Sequence, residues 1–144
     1  MTIVAFEVAV PLERPGLEVW QALIDWESHG RWIPATRSRI LDGDGRLGTT
    51  FEAVSGFRPL VLVDRMRVTA FDEEELHCAV EKLGPVLTGT AGFTVRAHGS
   101  ERCTVDWNES VEVPVLPQAL APIAAALGAR MFAWSLRKLA RQLA

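Results

Sequence analysis

A chain of 144 residues has the length of one domain and can bury a core without disulfides or a metal. Apolar residues at 49% and charged residues at 23% exclude a disordered chain. A net charge of −3 excludes the strongly basic footprint of a nucleic-acid binder.

In chain order, "IVAFEVAV" at 3–10 alternates and is rich in β-formers, which predicts a strand ended by Pro11. "ERPGLEVWQALID" predicts a helix with Pro15 in its first turn and Val19, Leu23 and Trp26 on one face. Gly30 and Pro34 interrupt it, so 25–33 is expected as a second short helix or turn. Six strand-like runs follow, at 36–42, 48–57, 60–72, 75–83, 86–97 and 102–113, joined mostly by tight turns such as "GDG" and "GP". Residues 116–143 predict one long helix, in which Pro122 marks either a kink or the true start. Leu120, Ile123, Leu127, Met131 and Trp134 form an apolar stripe on it, continued by Phe132, Leu136, Leu139 and Leu143. The expected fold is α+β and a single domain over 1–144. A seven-stranded curved antiparallel sheet wraps around the long C-terminal helix, with two short helices after the first strand.

The N-terminus lacks the basic region of a signal peptide, and Glu7 interrupts its apolar run. The most apolar region, 113–136, is broken by Pro114, Pro117, Gln118, Pro122 and Arg130, so no integral membrane segment is expected. Two cysteines, Cys78 and Cys103, suit a reducing, cytoplasmic setting, and about 10 Å between their strands would preclude a disulfide. Seven arginines between Arg31 and Arg67, interrupted by Asp42, Asp44, Glu52 and Asp64, read as a solvated face.

The segment "VWQALIDWESHGRWIP", the meander and the terminal "SLRKLARQL" resemble the START-like helix-grip superfamily. The bacterial polyketide cyclase/dehydratase-type (SRPBCC) proteins are the nearest group. That resemblance implies an apolar cavity between sheet and long helix, with the small helices near its mouth. It diagnoses fold better than substrate.

Strand parity supplies the cavity-facing side chains. Cys103, Val105, Trp107, Glu109 and Val111 share one face of the last strand. Leu62, Asp64, Met66, Val68 and Ala70 are expected inward in the long strand; Thr49, Phe51 and Ala53, and Gly89, Ala91, Phe93 and Val95, are expected inward in two others. Two carboxylates, Asp64 and Glu109, thus fall on an apolar surface. They must be paired (with an arginine such as Arg130), reach water, or be protonated, and a raised pKa would suit a general acid or base. His29 lies near the expected mouth, His77 is placed outward by parity, and His98 lies in a turn. No CxxC or HxxxH spacing, GxSxG elbow or phosphate-binding glycine loop is present, so neither metal nor cofactor is expected. Tyrosine is absent, which removes one common acid from a cyclase mechanism.

Trp20 reads as core. Trp26, Trp32, Phe51, Phe57, Met66, Phe93, Trp107, Met131 and Trp134 are the expected lining. The leading expectation is a binder of a small hydrophobic ligand that is lipid-, polyketide- or aromatic-like. The alternatives are a polyketide cyclase/dehydratase-type enzyme using Glu109 or Asp64, and an interaction module with a vestigial cavity. A homodimer is left open.

Overall fold

The computed structural model describes residues 2–57 and 59–144; Arg58, one of the seven clustered arginines, lies outside them. Seven strands form one antiparallel sheet: β1 (Thr2–Leu12), β2 (Thr36–Asp42), β3 (Thr50–Phe57), β4 (Leu60–Asp72), β5 (His77–Leu83), β6 (Thr88–His98) and β7 (Arg102–Val113). Their order is β1-β7-β6-β5-β4-β3-β2. The meander therefore runs from one edge inward, and β1 closes the other edge against β7. The helix α1 (Gly16–Leu23) and a 3-10 helix (Trp26–Arg31) follow β1, and α2 (Ala121–Leu143) ends the chain.

Strand β1 continues through Pro11, which pairs opposite Thr104. An edge strand tolerates proline because one side of its backbone has no ladder partner. Pro122 sits in the first turn of α2 and marks its start; a short 3-10 turn (Gln118–Leu120) precedes it.

Helical periodicity leaves open which apolar flank of α2 is buried. The structure buries Leu136 and Leu139, with Phe132 and Leu143 packed against the same core. Leu120, Ile123, Leu127, Met131 and Trp134 are exposed instead, which corrects the stripe expected to form the grip. Gly128 explains the choice. A Cβ there would stand 2.7 Å from the Phe6 ring, so only glycine lets α2 lie this close to β1. The helix leans on β1 and leaves its other flank free. By length and composition alone, Gln118–Leu143 is apolar enough to cross a bilayer; the interrupting prolines fall at or before its first turn.

The core lies between the sheet and the helices. Val19, Trp20 and Leu23 of α1 pack over Phe71 and Phe93, with Trp20 ring centroids 5.5 and 5.8 Å away. Phe71 rather than Ala70 faces inward. The β4–β5 register shifts between Val68 and Ala70, and that bulge reverses the parity of everything after it. On the outer face, Glu52 is held between Arg39 (2.8 Å) and Arg65 (3.3 Å), so part of the arginine cluster is consumed by one carboxylate. Cys78 and Cys103 are free and buried. They are separated by β6 and by four residues along it, since Cys78 pairs with Phe93 and Cys103 with Ala97.

Candidate functional site

The space between sheet and α2 is not filled by side chains. A cavity of about 310 Å³, partly open to solvent, is lined by residues from the 3-10 helix, β2 to β7 and α2. That is about twice the ~150 Å³ known to admit benzene in an engineered apolar cavity.

Rings make most of its wall. Trp26 stacks on Phe51 at 4.4 Å, Phe93 on Trp107 at 5.4 Å, and Trp107 on Phe132 at 4.7 Å. Trp26 is fixed twice over: its indole N–H donates to the Gly45 carbonyl at 2.8 Å, and its own carbonyl accepts from the Ser38 hydroxyl. The short helix is thereby tied to β2 and to the turn after it.

One end of the cavity is polar, and sheet register builds it. Met66 pairs with Lys82, so Asp64, two residues earlier on the same face of β4, lies diagonal to Lys82. Lys82 pairs with Gly89 on β6, and Ala91 pairs with Glu109 on β7. The small side chains of β6 leave Lys82 and Glu109 facing across them. Lys82 Nζ donates to Asp64 Oδ2 at 2.5 Å and lies 3.7 Å from Met66 Sδ. Trp107 Nε1 donates to Glu109 Oε1 at 3.3 Å.

The trio holds two carboxylates and one ammonium. Burial raises the Glu109 pKa above the ordinary range; the nearby Lys82 charge and the Trp107 hydrogen bond oppose the rise, and the Asp64 charge adds to it. Asp64 Oδ1 is buried and has no hydrogen-bond partner among the described residues. Asp64 is thus paired with Lys82 and not with Arg130, which is exposed on α2.

Of the expected lining, Trp26, Phe51, Met66, Phe93, Trp107 and Met131 border this cavity, together with Asp64 and Glu109. Three residues stand elsewhere. Trp32 is buried behind the wall, edge-on to Trp107 at 6.3 Å. Phe57 is exposed at the tip of the β3–β4 hairpin, beyond the cavity. Trp134 is on the exposed flank of α2, under the Lys138 ammonium at 5.4 Å.

Of the lining residues, Lys82 is the ionic one that the sequence reading passes over, and His29, expected near the mouth, lies in the wall itself. Lys82 shares strand parity with Cys78 and Val80, which was enough to place it inside. His29 lies in a 3-10 turn, where the 3.6-residue period gives no guide. Its Nε2 hydrogen-bonds to the Leu23 carbonyl at 2.8 Å, and burial pushes its pKa down to about 4. The neutral ring is therefore the form the fold holds.

A stability prediction follows from that depression. Between the unfolded value of 6.5 and the folded value of about 4, the unfolded chain carries the extra proton, so stability declines as pH falls. The loss is complete near pH 4, at up to about 3 kcal/mol. Urea denaturation at pH 7 and pH 4.5 should show His29→Asn losing less than the wild type over that interval. Equal losses would mean that His29 does not titrate on unfolding.

Cysteine chemistry is disfavoured. Burial pushes the Cys78 thiol up to about 12 and raises that of Cys103. Among the described residues, no group of three or more His, Cys, Asp or Glu could hold a metal ion.

A seven-stranded sheet gripping a terminal helix over an internal cavity defines the helix-grip class. The chain belongs to the polyketide cyclase / dehydrase and lipid transport family, whose model matches residues 4–144. Solved structures agree on the fold. The Zhui aromatase/cyclase from Streptomyces sp. R1128 is 13% identical, covering 97% of this chain and 94% of its own, with a TM-score of 0.77. A START superfamily protein from Mycobacterium smegmatis is 18% identical over 100% of both chains, with a TM-score of 0.77. Norcoclaurine synthase from Thalictrum flavum, solved with dopamine and hydroxybenzaldehyde, is 13% identical with a TM-score of 0.71, covering 98% and 88%. No curated protein matches the chain.

Proposed function

We propose that this protein binds a small, flat, largely apolar molecule bearing one hydrogen-bond donor. The observation that carries this reading is the unpartnered Asp64 Oδ1 at the polar end of an otherwise aromatic cavity. The rings offer stacking surface for the apolar body of the guest, and Asp64 Oδ1 accepts from its hydroxyl or amine. The cavity volume suits a guest of one or two rings. The buried, unreactive thiols accord with a reducing, cytoplasmic setting.

Titration of tryptophan fluorescence with 2-naphthol and with naphthalene tests the proposal. The donor-bearing probe should bind on the order of tenfold tighter, the worth of a hydrogen bond to a charged acceptor. Equal affinities would remove the polar anchor from the account, and failure of both probes to bind would remove the binding function.

A second reading is favoured by the Glu109 pKa. A carboxyl whose pKa burial raises, set near an ammonium, is suited to give and take protons, as a polyketide cyclase/dehydratase-type reaction requires. Glu109→Gln separates the two roles, because it keeps the acceptor for Trp107 and loses the proton. It should abolish any turnover of a β-ketone substrate while sparing 2-naphthol binding. Its stability effect has a definite sign. A carboxyl whose folded pKa is raised loses stability as pH climbs from its unfolded value toward the folded one. Glu109→Gln should therefore be more stable than the wild type at pH 8 and gain nothing at pH 4. A variant no more stable at pH 8 would show Glu109 to be well solvated.

A further inference from the structure

We infer that the exposed flank of α2, with the lips of the cavity beside it, docks on an anionic membrane surface. The flank is apolar where a soluble helix is normally polar. Ile123 is 57% exposed, Leu127 63% and Trp134 47%, all along one line. At about 100° per residue, Arg130, Arg137, Lys138 and Arg141 fall in the same third of the circumference as that line. The first half of the free flank is thus greasy and the second half cationic.

Charge selects the partner. All 18 acidic residues of the chain precede Pro114, whereas residues 114–144 carry four cations and no acid. A chain that is acidic overall thus ends in its longest acid-free segment, and the cations of that segment lie on the free flank of α2. A helix with an apolar exposed face and cations beside it fits a bilayer interface. Its apolar side chains enter the acyl boundary, and its arginines meet anionic headgroups. Trp134 under Lys138 adds an aromatic ring and an ammonium at the junction of the two halves.

The cavity shares this face. Leu62 of β4, Leu87 of the β5–β6 loop and Met131 of α2 all line it. One step outward along each element stand Leu60 (same strand parity), Val86 and Leu127 (one turn earlier), all exposed. Exposed apolar side chains from three elements thus adjoin, along the chain, residues that line the cavity. A surface docked there would receive or deliver a guest without its passing through water.

The test is co-sedimentation with vesicles of phosphatidylcholine, alone or mixed equally with phosphatidylglycerol. The wild-type protein should bind the mixed vesicles, bind phosphatidylcholine weakly, and be released at about 0.5 M salt. Arg130, Arg137, Lys138 and Arg141 changed together to Gln should weaken partition to the mixed vesicles by about a hundredfold. Ile123→Glu with Leu127→Glu should weaken it by at least about tenfold. All of these positions are on the outside of the fold, and an unchanged urea denaturation midpoint would show the variants intact. Absence of wild-type binding, or equal binding to both vesicle types, would overturn the inference. So would a wild-type dimer in light scattering that Ile123→Glu with Leu127→Glu splits into monomers, since that would assign the face to a second copy.

Discussion

Replacing Lys82 with methionine should cost about 3 kcal/mol of folding stability, because it leaves two carboxylates in the cavity with no cation. Lys82 is 7% exposed and its ammonium meets Asp64 Oδ2 at 2.5 Å, so the charge it supplies is poorly replaced by water. The attraction also reaches Glu109, whose pKa it holds down against burial. Without the ammonium the Glu109 carboxyl should protonate more readily, and the deficit should shrink as pH falls. The double variant Lys82→Met with Asp64→Asn should recover most of the loss, because breaking a buried pair is costlier than removing it. Urea denaturation of the three proteins at pH 7 measures the effect. A loss under about 1 kcal/mol for Lys82→Met, the range of surface ion pairs, would mean that Asp64 is hydrated and the polar end of the cavity is not preorganised.

Trp26→Ala is the other large effect, at about 4 kcal/mol, the range for truncating a fully buried indole. The side chain is 2% exposed, is stacked on Phe51 at 4.4 Å, and donates to the Gly45 carbonyl at 2.8 Å. Its removal opens a void, frees one wall of the cavity, and strips the short helix of its tie to the turn after β2. Trp134→Ala is the internal control. It truncates a half-exposed ring on the free flank of α2 and should change stability by no more than about 0.5 kcal/mol. Chemical denaturation distinguishes the two directly. Equal losses would contradict the assignment of one tryptophan to the wall and the other to the surface.

The contrast between these two tryptophans shows what the sequence could and could not reveal. Strand parity is a strict period of two, so Asp64 and Glu109 were legible as inward-facing once the strands were drawn. Lys82 was equally legible, two residues after Val80, but a lysine near the end of a run reads as the run leaving the core. Parity failed after Val68, because a bulge adds a residue that no hydrophobic pattern announces. For α2 the period was right and two faces were merged: Phe132, Leu136, Leu139 and Leu143 pack on the core, whereas Leu120, Ile123, Leu127, Met131 and Trp134 are exposed. The helix carries two apolar flanks, and the choice between them rests on a glycine contact with Phe6, more than a hundred residues away in the chain. Trp134 was assigned to the lining with the flank that the helix turns outward. Trp26 survives as wall because its position is fixed by local hydrogen bonds.

The two functional readings share one physical requirement: a guest must enter between the stacked rings and meet the ionic trio. A crystal structure of the protein with 2-naphthol bound is the most direct measurement. The naphthyl rings should lie within the wall formed by Trp26, Phe51, Phe93 and Trp107, with the hydroxyl within hydrogen-bond distance of Asp64 Oδ1. A cavity closed by rearranged side chains, or a probe seated elsewhere with Lys82, Asp64 and Glu109 untouched, would contradict this placement.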